Sequence, residues 1–183
     1  MSKGKLFCLI GTSGSGKTTI GSSVFGKEKE LVSTTTRDKR THEKDGVDYH
    51  FVSKLVFLNM ARAEKFAEED RYGDHYYGLE LSEIEEKTKD NNAYAVVTYH
   101  GYEQIKELYP DTVSVFIYSP YNDNKDMLIN RGDSSWNINK RLGLYYSDMK
   151  NKDKCDYVIE NVKGLLDESI EMLNQIVEKE GEV

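Results

Sequence analysis

The chain has two cysteines in 183 residues, Cys8 and Cys155, far apart and in no metal-ligand or redox spacing, so both are expected as free thiols. Its four histidines, His42, His50, His75 and His100, form no HxxxH or HxxH pair, which argues against a metal centre. No apolar run approaches the ~20 residues that a membrane span needs. The opening MSKGKLFCLI turns to a glycine-rich loop too soon for a signal peptide, and a cytoplasmic location is the default expectation. Positive charge is scarce as well. A net charge of −7 and an isoelectric point near 5.2 leave no extended basic face for nucleic acid or an anionic membrane. Internal repeats and low-complexity tracts are missing, which removes solenoids and disordered scaffolds from consideration.

What remains suits one folding unit with a full core, since 38% of the residues are hydrophobic and 31% charged. KLFCLI (5–10) is a short apolar run bounded by glycine, as a buried parallel strand would be, and TTIGSSVF continues after it as a helix. YAVVTY (94–99), VSVFIY (113–118) and DYVIEN (156–161) are further strand candidates rich in β-branched and aromatic residues. GYEQIKELY reads as a helix between two of them, and LLDESIEMLNQIVEKE as a final amphipathic helix. Strands alternating with helices predict an α/β fold with a mainly parallel sheet flanked by helices. Two polar stretches break the rhythm. Residues 33–90, tyrosine-rich, and 122–141, rich in Asn, Asp and Ser, read as an insert and a short lid on a core of 1–32, 91–121 and 142–183.

GTSGSGKT, Gly11 to Thr18, matches GxxxxGK[ST] between the strand and the helix that this motif requires. A P-loop of this kind wraps backbone N–H groups around phosphate oxygens, and the helix start adds its positive end. The ATP-binding candidates are Gly11, Thr12, Ser13, Gly14, Ser15, Gly16, Lys17, Thr18 and Thr19. Lys17 would place its charge on the β and γ phosphates and Thr18 would ligate Mg²⁺. A bare glycine-rich turn is the bland alternative, and the intact pattern in its proper setting disfavours it. A GTPase is disfavoured too: NKDM (124–127) and NKDK (151–154) both miss the aspartate of NKxD. RGD (131–133) is read as a chance tripeptide.

VSTTTRDKR (32–40) packs three threonines, a serine and three cations into an acidic chain. Arginines three apart can offer paired donors to one phosphate, and tyrosine hydroxyls can complete the set. The longer string STTTRDKRTHEKDGVDYHFVS resembles STTRxxRxxExxGxDYxFVS of the guanylate kinases, and Phe66 to Glu68 followed by GDHYYG is similar to that family's F-x-E and GNYYG. The resemblance runs over nearly the whole chain. It implies a P-loop kinase that moves the γ-phosphoryl of ATP, with Mg²⁺, to the α-phosphate of a nucleoside monophosphate, GMP or dGMP. It also implies that Arg37, Arg40, Tyr49 and Tyr77 grip the acceptor phosphate, that Glu43 orients an arginine, and that Ser33 and Glu68 face the base. Arg131 and Arg141 match two lid arginines; with Lys17 and Arg37 they make the expected catalytic set.

The chain departs from that family around the base. Where the family reads LDIDxQG, alignment on Gly101 puts Val96 and Thr98 in place of the two acids. Leu79 replaces a Ser or Thr, and Met127 falls on a lid arginine position. Relaxed or shifted base specificity is the expected alternative. A non-catalytic binding module and a sugar-phosphate kinase are further ones, disfavoured respectively by the intact P-loop and by Glu68 with the tyrosines.

Overall fold

The computed structural model describes residues 4–72, 74–130, 132 and 134–181. β1 (Leu6–Ile10) lies at the centre of a four-stranded parallel sheet, between β6 (Ala93–Val96) and β7 (Val113–Tyr118), with β8 (Tyr157–Glu160) beyond β7. All five residues of β1 are buried because each face of the sheet is covered. Phe7 and Leu9 pack with Ile20 of α1 (Lys17–Phe25) and Leu173 of α8 (Leu166–Gly181). Leu6, Cys8 and Ile10 face the other way, onto Ile105 of α4 (Tyr99–Leu108) and onto Leu31, Leu79 and Ile84. Cys8 is fully buried, and burial pushes its thiol far above the usual range.

A second sheet of four strands occupies the tyrosine-rich stretch. Its order is β3 (His50–Phe51), β2 (Thr34–Thr35), β5 (His75–Glu80), β4 (Phe66–Tyr72). β4 and β5 pair antiparallel with a bulge between Phe66 and Glu68, so that Asp70 sits opposite Tyr77 and Glu68 opposite Leu79. α2 (Lys54–Arg62) starts where the Ser53 hydroxyl accepts from Val56 N, and its Phe57 stacks on Phe66 at 4.5 Å. α3 (Leu81–Lys87) leads back to the core.

The predicted strand 94–99 ends at Val96. Thr98 turns the chain there, its hydroxyl accepting from Gly101 N at 3.0 Å to cap α4, and Tyr99 is already helical. The polar stretch after β7 is two helices, α5 (Tyr121–Asn130) and α6 (Ser135–Gly143), joined through Leu128, Ile138 and Leu142, with α7 (Tyr145–Met149) behind them. Among the described residues no helix is long and apolar enough to cross a membrane.

Candidate active site

The phosphate loop leaves β1 at Gly11. A Cβ there would sit 1.9 Å from Ile117 O, so only glycine lets the loop pass β7 this closely. Gly16, in the left-handed region at φ 84°, turns the chain into the first turn of α1. Three buried side chains brace the loop from behind. Ser15 Oγ donates to Ile117 O at 2.8 Å, Asn161 Nδ2 to Ser15 O at 3.0 Å, and Asn124 Nδ2 to Thr12 Oγ1 at 2.9 Å. Lys17 Nζ folds over the loop and donates to Gly11 O at 3.0 Å and Thr12 O at 2.6 Å. Thr18 and Thr19 open onto the cleft from the start of α1.

That cleft, about 720 Å³, runs from the loop to the second sheet. Arg37 and Glu43 anchor its far end with a two-toothed pair, Nη2 to Oε1 at 2.7 Å and Nη1 to Oε2 at 3.0 Å. Glu43 Oε2 also accepts from Arg40 N at 2.8 Å. These bonds from Arg37, and then from Arg40, hold the Glu43 carboxyl down at about 2. Arg37 lies over the rings of Tyr49 and Phe51 at 5.4 and 5.6 Å, and Tyr49 meets Tyr77 edge-on at 6.1 Å. The Arg40 guanidinium, half exposed, reaches into the same space. Two arginines, their fixing carboxylate and two phenols therefore form one anion-sized corner.

Ser33 and Glu68 line the same cleft. Glu68 is 6% exposed, and burial, reinforced by Asp70 and Glu69, pushes its carboxyl up to about 7. Arg141 Nη1 points at Ser13 Oγ, 3.4 Å away, closing the cleft on the α6 side beside Met127. Every other predicted site residue meets the cleft except two. The Thr12 side chain is buried behind the loop, because its hydroxyl serves Asn124. Arg131 lies outside the described residues.

Of the substituted positions, Val96 and Thr98 border the cleft, while Leu79 is fully buried in the main core and does not. Several polar residues at the site were not anticipated, Asn151 at the cleft edge among them. Asn124 and Asn161 brace the loop across more than a hundred residues of sequence, and nothing local marks them. Asp148 of α7 lines the cleft; burial raises its carboxyl and the Lys17 charge draws it back. Asp70 follows Glu68 by two residues, a spacing that would have placed it on the same face had 66–72 been read as a strand.

A phosphate loop that shares one cleft with a caged arginine pair defines a nucleotide kinase of the P-loop class, built to bring two phosphate chains together. The "Guanylate kinase" family model matches residues 3–180. The chain is 32% identical over 184 residues to the guanylate kinase of Oceanobacillus iheyensis, covering 97% of this chain and 88% of that one, and equally to that of Thermotoga maritima. The Hydrogenovibrio crunogenus guanylate kinase is 34% identical over 164 residues, covering 86% and 80%. In fold, the crystal structure of guanylate kinase from Anaplasma phagocytophilum superposes with a TM-score of 0.76 over 98% of this chain and 87% of that one, at 23% identity. The chain belongs to the guanylate kinase family.

Proposed function

We propose that the protein transfers the γ-phosphoryl group of ATP to GMP or dGMP, giving GDP or dGDP. The observation that carries this reading is the Arg37–Glu43 pair with Arg40, Tyr49 and Tyr77, set across one cleft from the phosphate loop with the Glu68 carboxylate between them. The loop takes the triphosphate: its N–H groups and the start of α1 face the phosphates, and Lys17 exchanges the Gly11 and Thr12 carbonyls for phosphate oxygens. Arg37 and Arg40 take the acceptor's phosphate. Glu68 pairs with the N–H donors of guanine, and Ser33 lies beside it. Transfer then needs charge neutralisation and alignment, without a covalent enzyme intermediate, and Arg141 and Arg131 supply cations as the 122–141 segment closes over the 33–90 insert.

Mg²⁺ fits this site as part of the nucleotide. Among the described residues no group of three or more His, Cys, Asp or Glu could hold a metal, whereas the Thr18 hydroxyl opens onto the cleft as a hard oxygen donor. The ion, bound by Thr18 and phosphate oxygens, would neutralise charge on the transferring group. These substrates go with a cytoplasmic location.

A second reading, relaxed base choice, draws on Val96 and Thr98, which border the cleft without the two acids of the family pattern. Turnover of ribo- and deoxynucleoside monophosphates with ATP, blanked by Lys17→Ala, tests both. GMP and dGMP are expected to lead, with the variant at least ~10³-fold slower in kcat. Equal use of several bases would favour the second reading, and no turnover at all would refute both.

A further inference from the structure

Glu68 is 6% exposed and lines the cleft, yet among the described residues no donor bonds its carboxylate. Its oxygens are not among the fully buried unpartnered atoms, so they open to the cleft, where a donor brought by a ligand can reach a carboxylate that burial otherwise disfavours. Asp70 stands two residues along β4, on the same cleft-lining face. Thr98 Oγ1 donates to Asp70 Oδ2 at 3.2 Å and accepts from Gly101 N at 3.0 Å, so its one proton is committed to Asp70. The strand carrying both acids is clamped to α4: Glu69 N donates to Gln104 Oε1 and Gln104 Nε2 donates to Glu69 O, each at 3.1 Å. Asp70 Oδ1 accepts from Arg71 N at 2.7 Å, so each Asp70 oxygen holds one bond and keeps a second lone pair, and both acids sit on fixed backbone.

Guanine presents three hydrogens on one edge, N1–H and two on N2. A single carboxylate takes N1–H and one N2–H, and the other N2–H remains. We propose that Asp70, held by Thr98, reads the second hydrogen of the guanine 2-amino group beside Glu68, and so supplies from β4 the acid that this chain lacks at position 98. The inference rests on the GMP reading above and deepens it: the acceptor class is 2-aminopurine nucleotides, and IMP, which differs from GMP by that amino group alone, is the discriminating ligand. Thymine and uracil bring one imide donor, and adenine and cytosine turn a lone pair towards the acids, so none satisfies both carboxylates. Burial of Glu68, and then its crowding by Asp70 and Glu69, fits the same picture, because guanine donors would stabilise the carboxylate that burial disfavours.

Steady-state kinetics with GMP and with IMP, for the parent chain, Asp70→Ala, Asp70→Asn and Thr98→Val, tests this, with calorimetric binding of both nucleotides and thermal melting alongside. The parent is expected to prefer GMP over IMP by ~100-fold or more in kcat/KM. Asp70→Ala should cut that preference at least ~10-fold, through KM for GMP, and Thr98→Val should cut it less in the same direction. An unchanged preference in the Asp70 variants, or equal losses for GMP and IMP, overturns the inference while leaving GMP kinase activity standing. Failure of the parent to turn over GMP sinks the kinase reading instead, and calorimetry still decides Asp70 by whether GMP binds more tightly than IMP and Asp70→Asn removes the difference.

Discussion

Glu68 carries a stability signature of its own. Its folded carboxyl stands at about 7, raised first by burial, whereas the unfolded chain holds it near the usual ~4.5. Between those values the folded state keeps a proton that the unfolded state has lost, so stability falls as pH rises. The contribution is complete below ~4.5 and gone above ~7, on the order of 3 kcal/mol. Melting temperature of the nucleotide-free protein should drop from pH 5 to pH 8 and Glu68→Gln should flatten that drop; equal slopes for the two proteins would count against it. Glu43, bonded to Arg37, has the opposite sign, losing its contribution only as pH falls towards about 2. That Arg37, Arg40, Tyr49, Tyr77 and Glu43 come together was legible because they cluster in one short polar string or repeat a known spacing. Asp70 was not, because a carboxylate two places after another reads in a sequence as solvated charge until the strand that aims both inward is seen.

The elements divide by how much their own residues specify. β1 and β7 were legible as apolar runs because strands buried on both faces have no polar alternation to confuse them, and β8, half-buried at the sheet edge, by its β-branched and aromatic residues. β4 and β5 were hidden by EEDRYGDHYYG, whose charges lie on the cleft and solvent faces of a hairpin. α5 and α6 were masked by Asn and Ser, and are held by three apolar residues and a Ser134 cap. The phosphate loop adds a further layer, since its motif is local while its bracing comes from Asn124 and Asn161. Asn161, 4% exposed, also accepts from Ser169 Oγ at 3.1 Å and so ties α8 to the loop. Asn161→Ala would leave Ser15 O unsatisfied and open a small void, costing about 2 kcal/mol. Urea denaturation should show the lower midpoint, and kinetics a KM for ATP that rises more than that for GMP. A variant as stable as the parent would show that the loop stands without this brace.

Across the whole molecule, an acidic body encloses a cleft whose working ends are cationic, so its substrates' charges are met locally. The one tryptophan, Trp136, projects from α6 at 69% exposure with Lys140 Nζ 5.1 Å over its ring. If the 122–141 segment closes on the phosphates, Trp136 changes surroundings. Its fluorescence should respond to a non-hydrolysable ATP analogue together with GMP, and little to GMP alone; identical spectra at saturation by both would argue for a lid that stays put. Thr98 begins a core helix, whereas Asp70 belongs to the insert sheet, so the 3.2 Å bond between them crosses a seam. If Asp70 takes the place of an acid at 98, single substitutions between the two arrangements pass through a protein with both acids or with neither. The first brings two further carboxylates up to Glu68, and the second leaves Glu68 alone. The two positions are therefore expected to change together in descent, and transplanting either residue by itself into a relative should cost more than transplanting the pair.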